Sequence, residues 1–240
     1  MGVRQSVALG QVKVADRSNE ITAILEPLDT LDVSGCTVTI DAMGCQKEIA
    51  NKIADRGADY ILALKRNQPQ IYDDVSETFD HLRRSEFSDI DYRFCETVEK
   101  GHGRIEKRRC WAVSDPAYLG YVNDRGEWTK VRSLAMVESE RTENGDSTTQ
   151  TRYYISSLPN DARKLLNGVR THWGIENSVH WVLDVAFGED NSRARVGNSA
   201  ENFSILRRMA LNMLRGETTL KVGVAAKRKR AGWGENICSK

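Results

Sequence analysis

One carboxylate, Glu176, stands between aromatic and histidine side chains in the stretch RTHWGIENSVHWVLDVAFGEDNSR at residues 170–193. On a helix, at 100° per residue, Trp173, Glu176, His180 and Asp184 fall in one stripe, and Ile175, Val179, Val182 and Leu183 form the apolar stripe beside it. That apolar stripe would bury against a sheet and hold Glu176 at the sheet's margin. A second carboxylate, Asp41, follows the β-branched run CTVTI at residues 36–40, which reads as a buried central strand. Two acids brought together repel unless a divalent cation lies between them. Mg²⁺ suits such a site, because it prefers oxygen ligands, needs few carboxylates and keeps positions open for water and phosphate. Two such ions about 4 Å apart would support in-line phosphoryl displacement, and so phosphodiester cleavage or transfer. A strand-terminal Asp that caps a turn and a solvated helical Glu would leave the same pattern.

His172 and His180 invite zinc, but eight residues of straight helix separate them by about 12 Å, too far for one ion. His172, Trp173 and His180 read instead as hydrogen-bonding or stacking groups near a substrate, or as partly buried helix residues. Lys65, Asn67 and Gln68 in ALKRNQP place a cation beside two amides, suited to phosphate or base-edge contact, although an ordinary polar loop reads the same way. The KRKR run at 227–230 is either a phosphate-docking tail or a solvated one.

Positioning Asp41 and Glu176 requires an ordered scaffold, and the chain offers one. Residues 6–15 alternate as a strand, Ser18 can cap a helix to about Leu31 with Pro27 as a kink, and the 36–40 strand follows. A helix at 46–56 stopped by Gly57, a strand at 60–64 and a helix at 69–84 complete an α/β pattern. Residues 92–158 change texture to short alternating runs separated by turns, which is antiparallel β. A helix from Asp161 to about Phe187 and an amphipathic helix over 200–215, with Phe203, Leu206, Ala210, Met213 and Leu214 on one face, come next. The tail from Gly216 reads as poorly ordered.

The 240 residues suffice for one substantial domain, alone or with an insertion. A formal net charge of +1 gives no global basicity. Residues 160–240, however, carry 14 Lys and Arg against 8 Asp and Glu, whereas residues 1–159 carry 21 against 26. A polyanion would meet the C-terminal third first. Five widely spaced cysteines without a C-x-x-C pair suggest reduced thiols in a cytoplasm. No signal peptide or membrane-length apolar run is evident, so a soluble cytoplasmic protein is expected.

Three motifs carry a resemblance: TVTIDAMGCQKEIA at 37–50, YILALKRNQP at 60–69 and HWGIENSVHWVLDVAFGEDNSR at 172–193. In this order they closely resemble DDE transposases of bacterial insertion sequences, nearest the H-repeat-associated group linked to Rhs elements, over about residues 9–215. The resemblance implies an α/β fold, a ribonuclease-H-like mixed sheet flanked by helices, with an inserted β-rich subdomain before the last catalytic helix. The implied division is an N-terminally incomplete core at 1–90, a β-rich insertion at 91–158, the catalytic-Glu helix and its successor at 159–216, and a basic, disordered tail at 217–240. Asp41 matches the second catalytic Asp and Glu176 the catalytic Glu, both as Mg²⁺ ligands with Mn²⁺ as substitute. Lys65, Asn67, Gln68, Arg170, His172, Trp173 and His180 are the expected DNA contacts.

Related transposases carry a Tyr, an Arg and a Lys around that Glu, where this chain has Val169, His172 and Leu183. The family's first catalytic Asp sits in an Asp-Gly-Lys setting that these residues lack, so a truncated copy is expected. Two functions follow: an enzyme that cuts insertion-sequence ends and joins them to target DNA as a synaptic homodimer at the bacterial nucleoid, or a non-catalytic remnant that binds DNA or a full-length partner. A generic ribonuclease-H-like nuclease is a third reading, disfavoured by the length of the motif match.

Overall fold

The computed structural model describes residues 20–88, 90–101, 103–175 and 179–233. They fall into two compact units, one ending at His172 and one beginning at Trp173.

The first unit opens with α1 (Glu20–Thr30), β1 (Thr37–Ile40), α2 (Lys47–Asp55), β2 (Asp59–Leu64) and α3 (Pro69–Arg84). β3 (Tyr92–Gly101), β4 (Arg104–Val113), α4 (Pro116–Val122), β5 (Ser133–Glu143) and β6 (Asp146–Ser156) follow, and α5 (Ala162–Ile175) closes it, running into the second unit. The six strands form one sheet in the order β1-β2-β6-β5-β4-β3. β1 and β2 are parallel, joined by α2, and every other pairing is antiparallel. This mixed sheet flanked by helices has the architecture expected of a ribonuclease-H-like transposase fold.

Two expectations are corrected in the sheet. The 36–40 run is less covered than the buried strand expected: its four residues are exposed or half-buried, and among the described residues β1 pairs only with β2. The strands of 92–158, expected as short runs, are ten or eleven residues long, and β6 pairs directly with β2. The inner ends of β4, β5 and β6 are buried, β3 buries only Cys95, and the outer parts form a charged ribbon, with Arg109 bound to Glu96, Glu138 and Glu140. A short helix, α4, also interrupts the strands; Asp115 caps it by accepting a bond from Ala117 N, and Pro116 sits in its first turn. The expected 6–15 strand lies outside the described residues.

Period-two alternation gives the sheet two apolar faces. Tyr60, Leu62, Leu134, Met136 and Ile155 pack against α1, α2 and α3, where Ile49, Ile53, Val75 and Phe79 are buried. Ile61, Cys110, Ala135, Val137 and Tyr154 face α5, which buries Ala162, Leu165, Leu166 and Val169. The helix comes closest at Gly168, where a Cβ would lie 2.4 Å from Ile61 Cδ1 and 3.8 Å from Thr39 Cγ2.

In the second unit, α6 (Trp181–Phe187), α7 (Ser199–Gly216) and α8 (Val224–Trp233) pack on one another. Residues 176–178 lie outside the described set, so the expected run of helix through them is not traced. Two further expectations are corrected here. α7 buries Leu211 and Leu214 while Phe203, Leu206 and Met213 are exposed. The segment expected as a disordered tail contains α8, because the Lys227 ammonium is buried and donates to the carbonyls of Leu214 and Glu217 at the end of α7. That lysine is spent on a helix terminus and cannot dock on phosphate.

Four cysteines are free thiols, with Cys36 exposed and Cys45, Cys95 and Cys110 buried; Cys238 lies outside the described residues. Burial, reinforced by Asp41 at Cys45 and by Cys95 at Cys110, pushes both thiols up to about 12. At pH 8 a thiol reagent should therefore label Cys36 quickly and Cys45 and Cys110 only after unfolding, as read by peptide mass mapping; rapid labelling of native Cys110 would contradict this packing. Gly168→Ala should destabilise by about 1 kcal/mol or more despite alanine's higher helix propensity. Ile61→Val, which removes the opposing methyl, should recover most of that loss in the double variant. A stabilising Gly168→Ala in urea unfolding would show that α5 is not pressed onto β2.

Candidate active site

Asp41 follows β1 directly and is exposed, at the edge of the sheet where the parallel strands β1 and β2 both end. In α/β sheets, ligands bind in the crevice beyond such carboxyl ends. Strand alternation puts Thr39 on the side that α5 covers, while Val38 and Ile40 join the core beneath α2. The turn after it is tightly built. Asp41 Oδ1 lies 3.4 Å from Gly44 N, and a Cβ on Gly44 would come within 2.4 Å of Ile40 Cγ2 and 2.6 Å of Ile24 Cδ1, so this position takes only glycine without movement.

The loop after β2 braces that turn. Asn67 donates to Ala42 O at 2.6 Å, and Gln68 donates to Cys45 O at 3.1 Å and to Gln46 Oε1 at 2.9 Å. The two amides expected to read DNA are thus engaged in holding the Asp41 loop. Lys65, next to them, is exposed at the end of β2, on the same sheet edge as Asp41. Cys45 is buried under the turn, and burial, with Asp41 nearby, pushes its thiol up to about 12.

On α5, His172 Nδ1 lies 3.3 Å from Thr39 Oγ1, within hydrogen-bond reach two residues from Asp41. Thr39, two residues before Asp41, is the residue that pattern reading missed. Arg170 forms an ion pair with Glu99 of β3. Trp173 is 39% exposed, and His180 is exposed just before α6. Glu176 lies outside the described residues. Farther along the same motif, Glu189 accepts from Ser204 at 2.8 Å and pairs with Arg208 at 3.4 Å, tying the segment after α6 to α7.

With this geometry in view, the family model described as Transposase DDE domain matches residues 2–213. The chain belongs to the DDE transposase family. It is 44% identical over 229 residues, 93% of its length, to "Putative transposase YncI" of Escherichia coli O157:H7. It is 37% identical over 235 residues, 96% of its length, to "H repeat-associated putative transposase YhhI" of Escherichia coli strain K12. The chain spans 57% and 61% of the length of these two relatives.

DDE transposases normally use a divalent metal. Among the described residues no group of three or more His, Cys, Asp or Glu could hold an ion. Asp41 nevertheless fits as one oxygen ligand of a cation that keeps several waters, since it is exposed at a strand end. Removing the brace should loosen this ligand: Asn67→Leu is expected to cost about 1 kcal/mol and to speed amide exchange in residues 42–46. Unchanged exchange there would mean that the loop holds itself.

Proposed function

We propose that this DDE transposase chain binds insertion-sequence ends and carries two carboxylates, Asp41 and Glu176, of a Mg²⁺-dependent centre, with Mn²⁺ as substitute, that cleaves DNA and transfers the strand to a target. The observation that supports it most is the exposed Asp41 at the end of β1, with α5 anchored to Thr39 two residues away through His172. Glu176 follows His172 by four residues, a distance the chain spans in about 14 Å at most. When bound, the metal supplies an activated water and neutralises charge on the phosphoryl oxygens.

The protein's own groups orient and hold. Lys65, Arg170, His172, Trp173 and His180 contact DNA. Asn67 and Gln68 position Asp41 by fixing its loop. The working unit is a homodimer in a synaptic complex at the bacterial nucleoid. The core comprises residues 1–90 and 159–216, and 91–158 form the insertion.

One sequence fact favours a second reading. No Asp-Gly-Lys occurs in these 240 residues, and the alternative is a non-catalytic protein that binds DNA or a full-length partner. With Mg²⁺ or Mn²⁺ and an end-containing duplex, the 240-residue protein is expected to give no strand transfer. Robust cleavage abolished by Glu176→Gln would instead establish it as a complete catalyst. In a protein that also carries an upstream Asp-Gly-Lys segment, Asp41→Asn and Glu176→Gln should each lower cleavage by roughly 100-fold or more while duplex binding persists. Full cleavage by either variant would remove that residue from the centre.

A further inference from the structure

The two sides of the sheet in the first unit carry opposite charge. α5 bears three basic residues, Arg163, Lys164 and Arg170, and no acidic one. Its buried side is Ala162, Leu165, Leu166 and Val169, so Arg163, Lys164 and Thr171 are exposed and Asn167 and Arg170 half-buried on the opposite side. Among the described residues Arg163 and Lys164 have no ion-pair partner, whereas most cations of the neighbouring ribbon are paired, Arg108 with Glu99 and Glu106, and Arg104 with Glu106. Two acids border this face, Asp161, which accepts from Lys164 N at 2.9 Å, and Glu99, which holds Arg170.

Across the sheet, α3 carries Asp73, Asp74, Glu77 and Asp80 against Arg83 and Arg84 at its end. Burial, and then the carboxylates of Asp124, Glu77 and Asp73, raise Asp74 above its ordinary value, a consequence of the acids gathered on that side. A polyanion is repelled from that side and attracted to the other.

We propose that the outward face of α5, with Arg163, Lys164 and Asn167 at its centre, is a sequence-independent docking surface for the backbone of duplex DNA. From residue 163 to 171 this face extends for about 12 Å of helix, alongside roughly seven phosphate charges of a duplex. Basic side chains and a side-chain amide are the groups that contact phosphate without reading bases. The face lies nine to thirteen residues before Glu176 in the sequence, and it binds the DNA backbone without taking part in the chemistry. This surface rests on the transposase reading.

The test is fluorescence anisotropy of the full 240-residue protein with a labelled 30-base-pair duplex of arbitrary sequence, between 50 and 200 mM KCl. Arg163→Glu/Lys164→Glu should weaken binding about tenfold or more and reduce the slope of log K against log salt by about 2. The neutral pair Arg163→Gln/Lys164→Gln should reduce the slope equally, with an unchanged melting temperature. Arg84→Glu/Arg125→Glu, the same charge change away from this face, should change affinity less than about twofold. Equal losses from both reversals, or no loss from the first, would overturn the docking surface and leave the transposase reading standing. No duplex binding by the unaltered protein at 50 mM KCl would overturn both.

Discussion

The approach of α5 to the sheet at Gly168 is the constraint on which the rest of the first unit depends. A side chain at this position would meet the terminal methyl of Ile61, which would have to turn away, so the helix lies close against β2 and β1 here. On either side of it Leu165, Leu166 and Val169 are buried, each contributing about 1.5–3 kcal/mol of apolar burial. One turn later the same contact brings His172 to Thr39, and the opposite side of the helix is left to face outward with its cations. A packing requirement at one glycine thereby decides which helix side meets the Asp41 strand and which meets solvent.

β2 is the seam that makes this possible. It is buried on both sides of the sheet, takes β1 as a parallel partner and β6 as an antiparallel one, and so joins the α/β part to the long hairpins. The join is fastened by buried hydroxyls. Ser156 donates to Tyr60 O at 2.6 Å, Tyr60 N donates to Ser157 Oγ at 2.9 Å, and Ser157 in turn donates to Asp59 at 2.8 Å. Each satisfies a backbone or carboxylate group that burial would otherwise leave unpaired, at a cost of about 1–3 kcal/mol. α5 begins a few residues after this network, so the start of the helix is fixed by it.

Sequence patterning was enough to locate β2, α2, α3 and α7 to within a few residues, because each has strong periodicity and a clear stop. The partial exposure of β1 was not legible: TVTI is apolar enough for a buried strand, and how far it is covered depends on what packs on it, not on its own residues. α8 was hidden because KRKR reads as solvated until Leu214 and Glu217 carbonyls are brought to Lys227. At the site, Asp41 was readable from its place after a strand. The engagement of Asn67 and Gln68 was not, since an amide that binds a ligand and one that braces a loop are the same residue until the acceptors, Ala42 O and Cys45 O, are in place. The motif resemblance filled the remaining gap, and the match over residues 2–213 established the family.

The central claim, that Asp41 and Glu176 belong to one metal centre, is tested most directly by metal-directed cleavage of the protein itself. Fe²⁺ with ascorbate and peroxide, in place of Mg²⁺, cuts the polypeptide only near where the ion resides. The account predicts two clusters of cuts, one around residue 41 and one around residue 176, both suppressed by excess Mg²⁺ and both weakened by Asp41→Asn. Cuts at only one of these positions, or at neither while another segment is cleaved and protected by Mg²⁺, would contradict it.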